Sequence, residues 1–308
     1  MKVAVIDLGT NTCNLLVAEI SGREYKILHQ SKELIKLGDG QIINHKISDE
    51  ALERTVRVLT EQRKIAEDYG VEQTKVLATS GVRMARNKDS FLNISGKAAG
   101  SPVQVISGEH EAELIFKGVL LAVENLYDVS LIMDIGGGSN ELILAQHKDI
   151  LWKESQPTGM ARIINQFMLS DPMKHSEVQI LQNFFEARHQ EAIVQCRNMI
   201  ANTLIGCSGT FDTISDILDQ VEPGEKQRQY QLIELADFYR VYDMLLHSTR
   251  QQRIEIKGMD SVRVDLIVPA IIFVEHMINK AGISKIIHTG YSLREGALME
   301  FLEQEQEL

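Results

Sequence analysis

A segment near the start of the chain is repeated in its second half. The first copy runs from Asp7 to Val17 (DLGTNTCNLLV) and the second from Asp134 to Leu144 (DIGGGSNELIL). Both copies share the aspartate, the glycine two residues later and a leucine, and the hydroxyl of Thr12 aligns with that of Ser139. Each copy follows one apolar run and leads into another. We therefore predict two related units of strand, tight turn and strand.

The residues of the two turns suit the binding of a phosphate group. Glycine lets backbone N–H groups approach an anion closely, and hydroxyl and amide side chains add donors. The aspartates that end the first strands, Asp7 and Asp134, could hold Mg²⁺ through water, because this cation retains several water ligands. The candidate phosphate-binding residues are Gly9, Thr10, Asn11 and Thr12 in the first turn and Gly136, Gly137, Gly138 and Ser139 in the second.

A single glycine turn between two strands is usually a plain hairpin, so the repetition is what favours a binding site. A P-loop is excluded because the pattern GxxxxGK[ST] is absent. A Rossmann fingerprint would open a helix, whereas Gly136 and Gly138 lead into the strand-like residues 142–144. Dinucleotide binding is therefore disfavoured.

Alternating strands and helices predict an α/β fold of two similar domains, with a cleft between them that both turns would line. The predicted strands outside the hairpins are Tyr25–Leu28, Lys75–Ala78, Val103–Ile106, Thr203–Ile205 and Lys285–His288. The predicted helices lie between Ser48 and Gly70, around Val82–Ala85, from about Glu109, and near Val178–Ala201, Leu232–Leu246 and Leu266–Ala281. We place the boundary near Glu124 to Ser130, which gives domains 1–124 and 125–308. A last helix at about 292–304 is left open to pack back on the first domain.

Composition limits the possible partners and the compartment. A net charge of −11 argues against a general nucleic-acid or membrane-surface binder, although backbone N–H groups can still hold phosphate locally. The three widely spaced cysteines, Cys13, Cys196 and Cys207, fit a reducing cytoplasm better than a disulfide framework or a zinc site. Residues 3–6 already predict a buried strand, so we expect no signal peptide and a cytoplasmic location.

Five motifs in a fixed order resemble the exopolyphosphatase/guanosine pentaphosphate phosphohydrolase (Ppx/GppA) family, within the actin-like, sugar-kinase and Hsp70 ATPase superfamily. They are DLGTNT at 7–12, TSGVRMARN at 79–87, ISGEHEA at 106–112, DIGGGS at 134–139 and SLREG at 292–296. The segment CSGT at 207–210 is similar to a further family turn. The resemblance covers essentially the whole chain and implies two ribonuclease H-like (actin-like ATPase) domains with an interdomain cleft.

The resemblance also implies roles for individual residues. The catalytic carboxylate of the family falls on Glu111, which would accept a proton from the attacking water, and its phosphate-contacting arginine matches Arg83. Ser208 and Gly209 become further candidates for ligand contact, and Mg²⁺ is the implied cofactor. Without the family, Glu111 is a helix N-terminal carboxylate, Arg83 is a surface charge or the partner of an acid, and Ser208 is a helix N-cap.

The chain departs from the family pattern around the catalytic glutamate. The family commonly has two glutamates before the alanine and an arginine after it, whereas His110 precedes Glu111 here and Glu113 takes the place of the arginine. If that arginine helps to hold a polyanion, the affinity for long polyphosphate should fall. Asn140 stands where many relatives have threonine, which could alter one hydroxyl contact.

Three functions remain open at this point. The first is a Mg²⁺-dependent phosphohydrolase that releases orthophosphate from inorganic polyphosphate or from guanosine pentaphosphate. The second is a sugar-kinase-like phosphotransferase that uses ATP and a small acceptor. The third is a polyphosphate- or nucleotide-binding regulator with weak turnover. None of the three requires nucleic acid or a membrane, and a homodimer is one open assembly.

Overall fold

The computed structural model describes residues 1–22, 24–38, 44–123 and 125–306. Glu124, at one end of the predicted boundary region, lies outside these ranges. The chain divides into two compact units. Unit 1 comprises Met1–Gly118 and Leu293–Leu308, and unit 2 comprises Val119–Ser292. Each unit contains a mixed β-sheet with helices, which confirms the predicted α/β fold.

Strands and helices alternate along most of the chain. The strands are β1 (Lys2–Leu8), β2 (Thr12–Ser21), β3 (Glu24–Leu34), β4 (Gln73–Ala78), β5 (Val103–Val105), β6 (Leu126–Ile135), β7 (Asn140–His147), β8 (Asp149–Gln156), β9 (Thr203–Cys207), β10 (Gln231–Ile233) and β11 (Lys285–Thr289). The helices are α1 (Asp49–Asp68), α2 (Ser80–Arg83), α3 (Lys88–Ala99), α4 (Gly108–Ala122), α5 (Met160–Gln166), α6 (His175–Arg188), α7 (Gln190–Asn198), α8 (Gly209–Asp219), α9 (Leu235–His247), α10 (Arg250–Glu255), α11 (Ile267–Ala281) and α12 (Leu293–Gln306).

The two sheets have related layouts. In unit 1 the strand order is β3-β2-β1-β4-β5, with β1, β2 and β3 antiparallel and β4 and β5 parallel to β1. In unit 2 the order is β10-β11-β9-β6-β7-β8, with β6, β7 and β8 antiparallel and β9 parallel to β6. In both sheets a hairpin therefore adjoins parallel strands, and the predicted units of strand, turn and strand are confirmed as β1–β2 and β6–β7.

Helix α1 begins and ends at the residues that its sequence predicts. The Ser48 hydroxyl accepts a hydrogen bond from the Ala51 N–H at 3.2 Å and caps the first turn. Asp49 and Glu50 place negative charge at the positive end of the helix dipole. Gly70 follows the last turn with a φ of 71°, a left-handed conformation that glycine adopts without strain.

Several elements differ from the prediction because tertiary contacts override local pattern. The single helix expected at Val178–Ala201 is two helices, α6 and α7, which are separated at His189. The His189 side chain is buried and hydrogen-bonded to distant residues, so the backbone turns there. Residues 232–233 belong to β10 rather than to α9 because they pair with β11. Helices α3, α5 and α10 and strand β8 were not predicted.

Each unit has its own apolar core. In unit 1 side chains from β1, β2, β4, α1 and α3 are buried together. In unit 2 the core surrounds α11, which is buried along most of its length, and the ring of Phe273 stacks on that of Phe185 at 4.5 Å between centroids. The three cysteines are buried and free. No helix within the described ranges combines the length and the apolar character that crossing a bilayer requires.

Candidate active site

The turn between β6 and β7 is closed by a hydrogen bond from the Gly136 N–H to the Ser139 carbonyl, at 3.0 Å. A Cβ atom at position 136 would lie 2.7 Å from that carbonyl oxygen, so the turn excludes a side chain there. This explains why the first glycine of the repeated segment is retained. The turn of unit 1 has the same feature, because the Gly9 N–H donates to the Thr12 carbonyl at 2.9 Å.

Helix α5 fixes the direction of the peptide groups in the second turn. The Met160 N–H donates to the Gly136 carbonyl and the Ala161 N–H to the Gly137 carbonyl, both at 2.9 Å. Nε of Arg162 donates to the Gly138 carbonyl at 2.8 Å. The C=O and N–H of a trans peptide point in opposite directions. The N–H groups of residues 137–139 therefore point away from α5, and successive backbone N–H groups in a turn are a known kind of anion-binding site.

The first turn is held in the same way by the segment after β3. The Thr10 carbonyl accepts from the Leu37 N–H at 2.8 Å, and the Asn11 carbonyl accepts from the N–H groups of Ile35 and Lys36 at 2.9 and 3.0 Å. The N–H groups of residues 11 and 12 consequently face away from that segment. Each unit thus directs turn N–H groups away from a supporting segment, although the supporting segments are unrelated in sequence.

Asp134 is a buried carboxylate with two hydroxyl partners. The Oγ atoms of Ser208 and Ser292 both donate to its Oδ2 at 2.7 Å. Burial raises the pKa of Asp134, and the two hydroxyls and the nearby Arg263 guanidinium partly offset that rise. A cation beside the carboxylate would stabilise its charged form further, so the surroundings fit a metal ligand.

Ser208 was predicted either to cap a helix or to contact a ligand. It occupies the N-cap position of α8, yet its side chain makes no capping hydrogen bond. Its φ of 67° is unusual for a residue other than glycine, and its hydroxyl is directed to Asp134. The side chain therefore supports the carboxylate, and direct contact with a ligand stays a prediction.

Gly209 lies against Arg263, a residue that the sequence did not point to. A Cβ atom at position 209 would lie 2.5 Å from Nε of Arg263, so the glycine makes room for the guanidinium. Burial lowers the pKa of Arg263, while the carboxylates of Asp260, Asp212 and Asp134 act in the opposite direction. Its Nε has no hydrogen-bond partner among the described residues. The Arg263 guanidinium near Asp134 could not be predicted from the sequence and is seen only in the folded structure.

Asp7 is the penultimate residue of β1, as Asp134 is of β6. Its Oδ2 accepts from Nδ2 of Asn14 at 3.0 Å across the β1–β2 hairpin. The second motif packs against the same hairpin, since a Cβ at Gly81 would lie 2.9 Å from the Thr10 hydroxyl. In unit 1 the first two motifs are therefore neighbours.

Unit 1 also brings together the predicted catalytic carboxylate and the predicted phosphate-binding arginine. Nη1 of Arg83, at the end of α2, lies 3.0 Å from Oε2 of Glu111 in the first turn of α4. The same nitrogen donates to the Ile106 carbonyl at 2.9 Å. Glu111 is only 6% exposed, so the ion pair is largely shielded from water.

The departures from the family pattern lie beside this pair on α4. Nδ1 of His110 is 3.6 Å from the carboxylate of Glu113, and its Nε2 is 3.7 Å from that of Glu300 on α12. Both distances exceed the range of a hydrogen bond. The consequence of Glu113 for polyphosphate affinity stays a prediction. Asn140 is fully buried and donates to Thr158, so its amide is engaged within unit 2.

The side chains present suit a hard divalent cation held by few protein ligands. Within the residues that the structure describes, no cluster of three or more His, Cys, Asp or Glu side chains could hold a metal ion. Mg²⁺ does not require such a cluster, because it is bound through one or two carboxylates together with water and phosphate oxygens. Asp134 and Asp7 are carboxylates of this kind.

Comparison with known proteins places the chain among phosphatases. A model of the Ppx/GppA phosphatase family matches residues 16–305. Exopolyphosphatase 2 of Mycobacterium tuberculosis is 28% identical over 96% of this chain and 97% of that protein. The crystal structure of an exopolyphosphatase from Cytophaga hutchinsonii superposes with a TM-score of 0.93 and 35% identity, and covers 99% of this chain and 98% of that one. A Ppx/GppA family member from Aquifex aeolicus shares the fold, with a TM-score of 0.81, 22% identity and coverage of 99% and 98%.

The two mixed sheets with their repeated hairpins are the actin-like two-domain fold. The chain belongs to the Ppx/GppA phosphatase family, which confirms the resemblance drawn from the motifs. It is a hydrolase that acts on phosphoanhydride bonds. The family is generally dependent on a divalent metal.

Proposed function

We propose that this chain releases terminal orthophosphate from inorganic polyphosphate. The observation that carries the proposal is the 3.0 Å pair between Arg83 and Glu111, which places a carboxylate beside a cation that suits phosphate oxygens. The similar proteins from Mycobacterium tuberculosis and Cytophaga hutchinsonii, both named exopolyphosphatases, support polyphosphate as the substrate. Guanosine pentaphosphate carries the same terminal anhydride and is the alternative substrate.

Arg83 retains donors for a phosphate while it is paired with Glu111. Its Nη1 serves both Glu111 and the Ile106 carbonyl. Among the described residues its Nε and Nη2 have no hydrogen-bond partner, and its side chain is 22% exposed. One edge of the guanidinium can therefore orient the base while the other binds phosphoryl oxygens, which a lysine could not do.

The proposed reaction is attack of water on the terminal phosphorus. The water oxygen forms a bond to phosphorus as the bond to the bridging oxygen breaks, and the shortened chain leaves with that electron pair. Glu111 accepts the proton of the water, a contribution typically worth about 10²–10⁴-fold in rate. Arg83 and the turn N–H groups stabilise the negative charge of the phosphoryl oxygens.

The proposal assigns cation binding to Asp7 and Asp134, with Mg²⁺ held through water. When bound, Mg²⁺ would neutralise charge on the phosphate oxygens. The supporting observation is the buried Asp134 carboxylate, whose pKa burial raises, so that a bound cation would stabilise its charged form. The hydroxyls of Ser208 and Ser292 hold this carboxylate in one orientation.

The direct test is an orthophosphate-release assay with Mg²⁺ and no acceptor, run separately with long polyphosphate, short polyphosphate and guanosine pentaphosphate. We expect release from polyphosphate under these conditions. Formation of ADP and a phosphorylated acceptor from ATP and a sugar-like acceptor, with no orthophosphate released from polyphosphate, would identify a phosphotransferase instead. Binding of polyphosphate without release would identify a regulator, and either result would contradict the proposal.

A further inference from the structure

A histidine is completely buried in unit 2, and both of its ring nitrogens are engaged. His189 lies at the break between α6 and α7, where its side chain is 0% exposed. Its Nδ1 is 2.6 Å from Oε1 of Glu154, and its Nε2 is 3.0 Å from Oγ1 of Thr158. The ring packs against that of Phe273 at 4.7 Å between centroids, which fixes its plane.

The hydrogen bonds continue from Thr158 to the second phosphate-binding turn. Nδ2 of Asn140 donates to the Thr158 carbonyl at 2.8 Å and to its Oγ1 at 3.1 Å. Asn140 directly follows Ser139, and Thr158 directly precedes Gly159, the N-cap residue of α5. We call the four side chains Glu154, His189, Thr158 and Asn140 the buried relay.

The direction of the contact between Asn140 and Thr158 follows from chemistry. A carbonyl oxygen only accepts, so the Asn140 atom that faces Thr158 is the amide nitrogen. The Thr158 hydroxyl therefore accepts from Asn140 and keeps its own proton and a second lone pair for the contact with Nε2 of His189.

The relay joins the two segments that define the geometry of the turn. Asn140 starts β7 at one side of the turn, and Thr158 starts the segment that enters α5, whose N–H groups hold the turn carbonyls. Oδ1 of Asn140 is buried without a partner among the described residues, which costs free energy. The contact of the amide with Thr158 therefore comes with a cost in stability.

We propose that His189 is a positioning residue for phosphate binding, acting through Thr158 and Asn140 on the turn at 136–139. The inference rests on the proposed function for its substrate, an oxyanion of the phosphate class. A shift of the α5 entry relative to β7 would rotate the turn carbonyls and with them the N–H groups that bind phosphate. Affinity for phosphate therefore depends on a residue that does not touch it.

The test compares Thr158→Val, which keeps the shape and removes the hydroxyl, with Thr158→Ser, which keeps the hydroxyl. The readouts are the dissociation constant for tripolyphosphate by calorimetry without turnover, the KM and kcat for polyphosphate hydrolysis, and the melting temperature. We expect Thr158→Val to weaken binding and raise KM on the order of tenfold with kcat within about twofold, and Thr158→Ser to stay within about twofold of the wild type.

Asn140→Ala cuts the relay at its other end and provides the second variant should Thr158→Val fold poorly. Weaker tripolyphosphate binding by a folded Asn140→Ala protein is the expected result. Unchanged binding and KM in a folded Thr158→Val or Asn140→Ala protein would overturn the inference. A wild type that binds tripolyphosphate but releases no orthophosphate would refute the proposed function and leave the binding comparison to decide the role of His189.

Discussion

Nη1 of Arg83 and Oε2 of Glu111 lie 3.0 Å apart, and the same nitrogen donates to the Ile106 carbonyl. The arginine is therefore fixed at one edge by the residue that it orients and by the backbone that precedes α4. Removing either partner takes a charge-assisted hydrogen bond from the other in surroundings that are largely shielded from water, which is costly. The pair thus makes the two side chains interdependent.

The geometry of this pair predicts that charge alone does not replace Arg83. Arg83→Lys keeps a positive charge but has a single nitrogen instead of a planar fork, so it cannot present one edge to Glu111 and another to phosphate oxygens. We expect kcat/KM for polyphosphate to fall on the order of 10²-fold, the cost of removing one well-placed donor. Arg86→Lys, an exposed position in the same motif, is the matched control and should stay within about twofold. Equal effects of the two substitutions would argue against the paired geometry.

Gly159 packs closely against the second turn, so we predict that this position does not tolerate a larger side chain. Its φ of −62° suits alanine, but the added methyl would meet the Gly137 carbonyl oxygen at 2.5 Å. Gly159→Ala should therefore displace the turn, lower the free energy of unfolding by about 1–3 kcal/mol and weaken phosphate binding. Gly96→Ala in α3 meets its nearest atom at 3.4 Å and serves as the control. Unfolding and binding measurements that do not distinguish the two variants would contradict the close contact.

We predict that the buried carboxylate of Asp134 lowers the stability of the protein and also binds the cation. Burial raises its folded pKa above the unfolded value, so its contribution to stability is complete below the unfolded pKa and is lost as the pH rises through the folded pKa. At pH 7 without Mg²⁺, Asp134→Asn should melt about 2–4 °C above the wild type. Added Mg²⁺ should raise the melting temperature of the wild type only.

The control for that experiment is Asp149→Asn, because Asp149 is an exposed carboxylate on β8. Its melting temperature should follow the wild type with and without Mg²⁺. If Asp134→Asn gained as much from Mg²⁺ as the wild type does, Asp134 would not be a ligand.

Because His276 is buried, we predict that the protein loses stability in mild acid. Burial lowers the pKa of this side chain to about 4, whereas the unfolded chain titrates near its ordinary value of about 6.5. Below that ordinary value the unfolded state binds the proton first, so stability falls as the pH drops toward the folded pKa. Relative to His276→Leu, the wild type should lose about 1–2 kcal/mol of unfolding free energy between pH 7 and pH 5. Urea denaturation at both pH values measures this, and parallel changes in the two proteins would refute it.

We predict that reversing the charge of Glu113 raises the affinity for long polyphosphate. Its carboxylate lies 3.6 Å from His110 on α4, beside the Glu111 turn, where negative charge repels a polyanion. Glu113→Arg should lower the KM for long polyphosphate about fivefold at low salt, and less at high salt because of screening. Glu109→Arg changes the charge of an exposed residue in the same helix turn and controls for net charge. An equal gain in both variants would indicate a general charge effect.

The sequence was most informative where function depends on short, contiguous segments. Both hairpins were predicted from the repeat that begins at Asp7 and Asp134, and the caps of α1 at Ser48 and Gly70 from local chemistry. The functional roles of Arg83 and Glu111 were implied only by the family motifs, since 27 residues separate them in the chain and each alone suits an ordinary surface or helix-end role.

The rest depends on contacts between distant parts of the chain. Ser292 belongs to the motif at 292–296, but only the fold places its hydroxyl on Asp134. Arg162 and the first turn of α5 hold the turn carbonyls, although α5 was not predicted at all. The break at His189 has no glycine or proline to mark it, because a buried hydrogen-bonded side chain causes it. These contacts form only when the strands and helices have packed together.

The most direct test of the proposed mechanism is the single-turnover rate of orthophosphate release from polyphosphate by Glu111→Gln, measured beside the wild type with Mg²⁺. Glutamine keeps the size of the side chain and can still accept from Arg83, but it cannot take the proton of the attacking water. We predict release about 10²–10⁴-fold slower than in the wild type, with binding of tripolyphosphate changed by less than about threefold. Release at the wild-type rate would contradict the assignment of Glu111 as the general base.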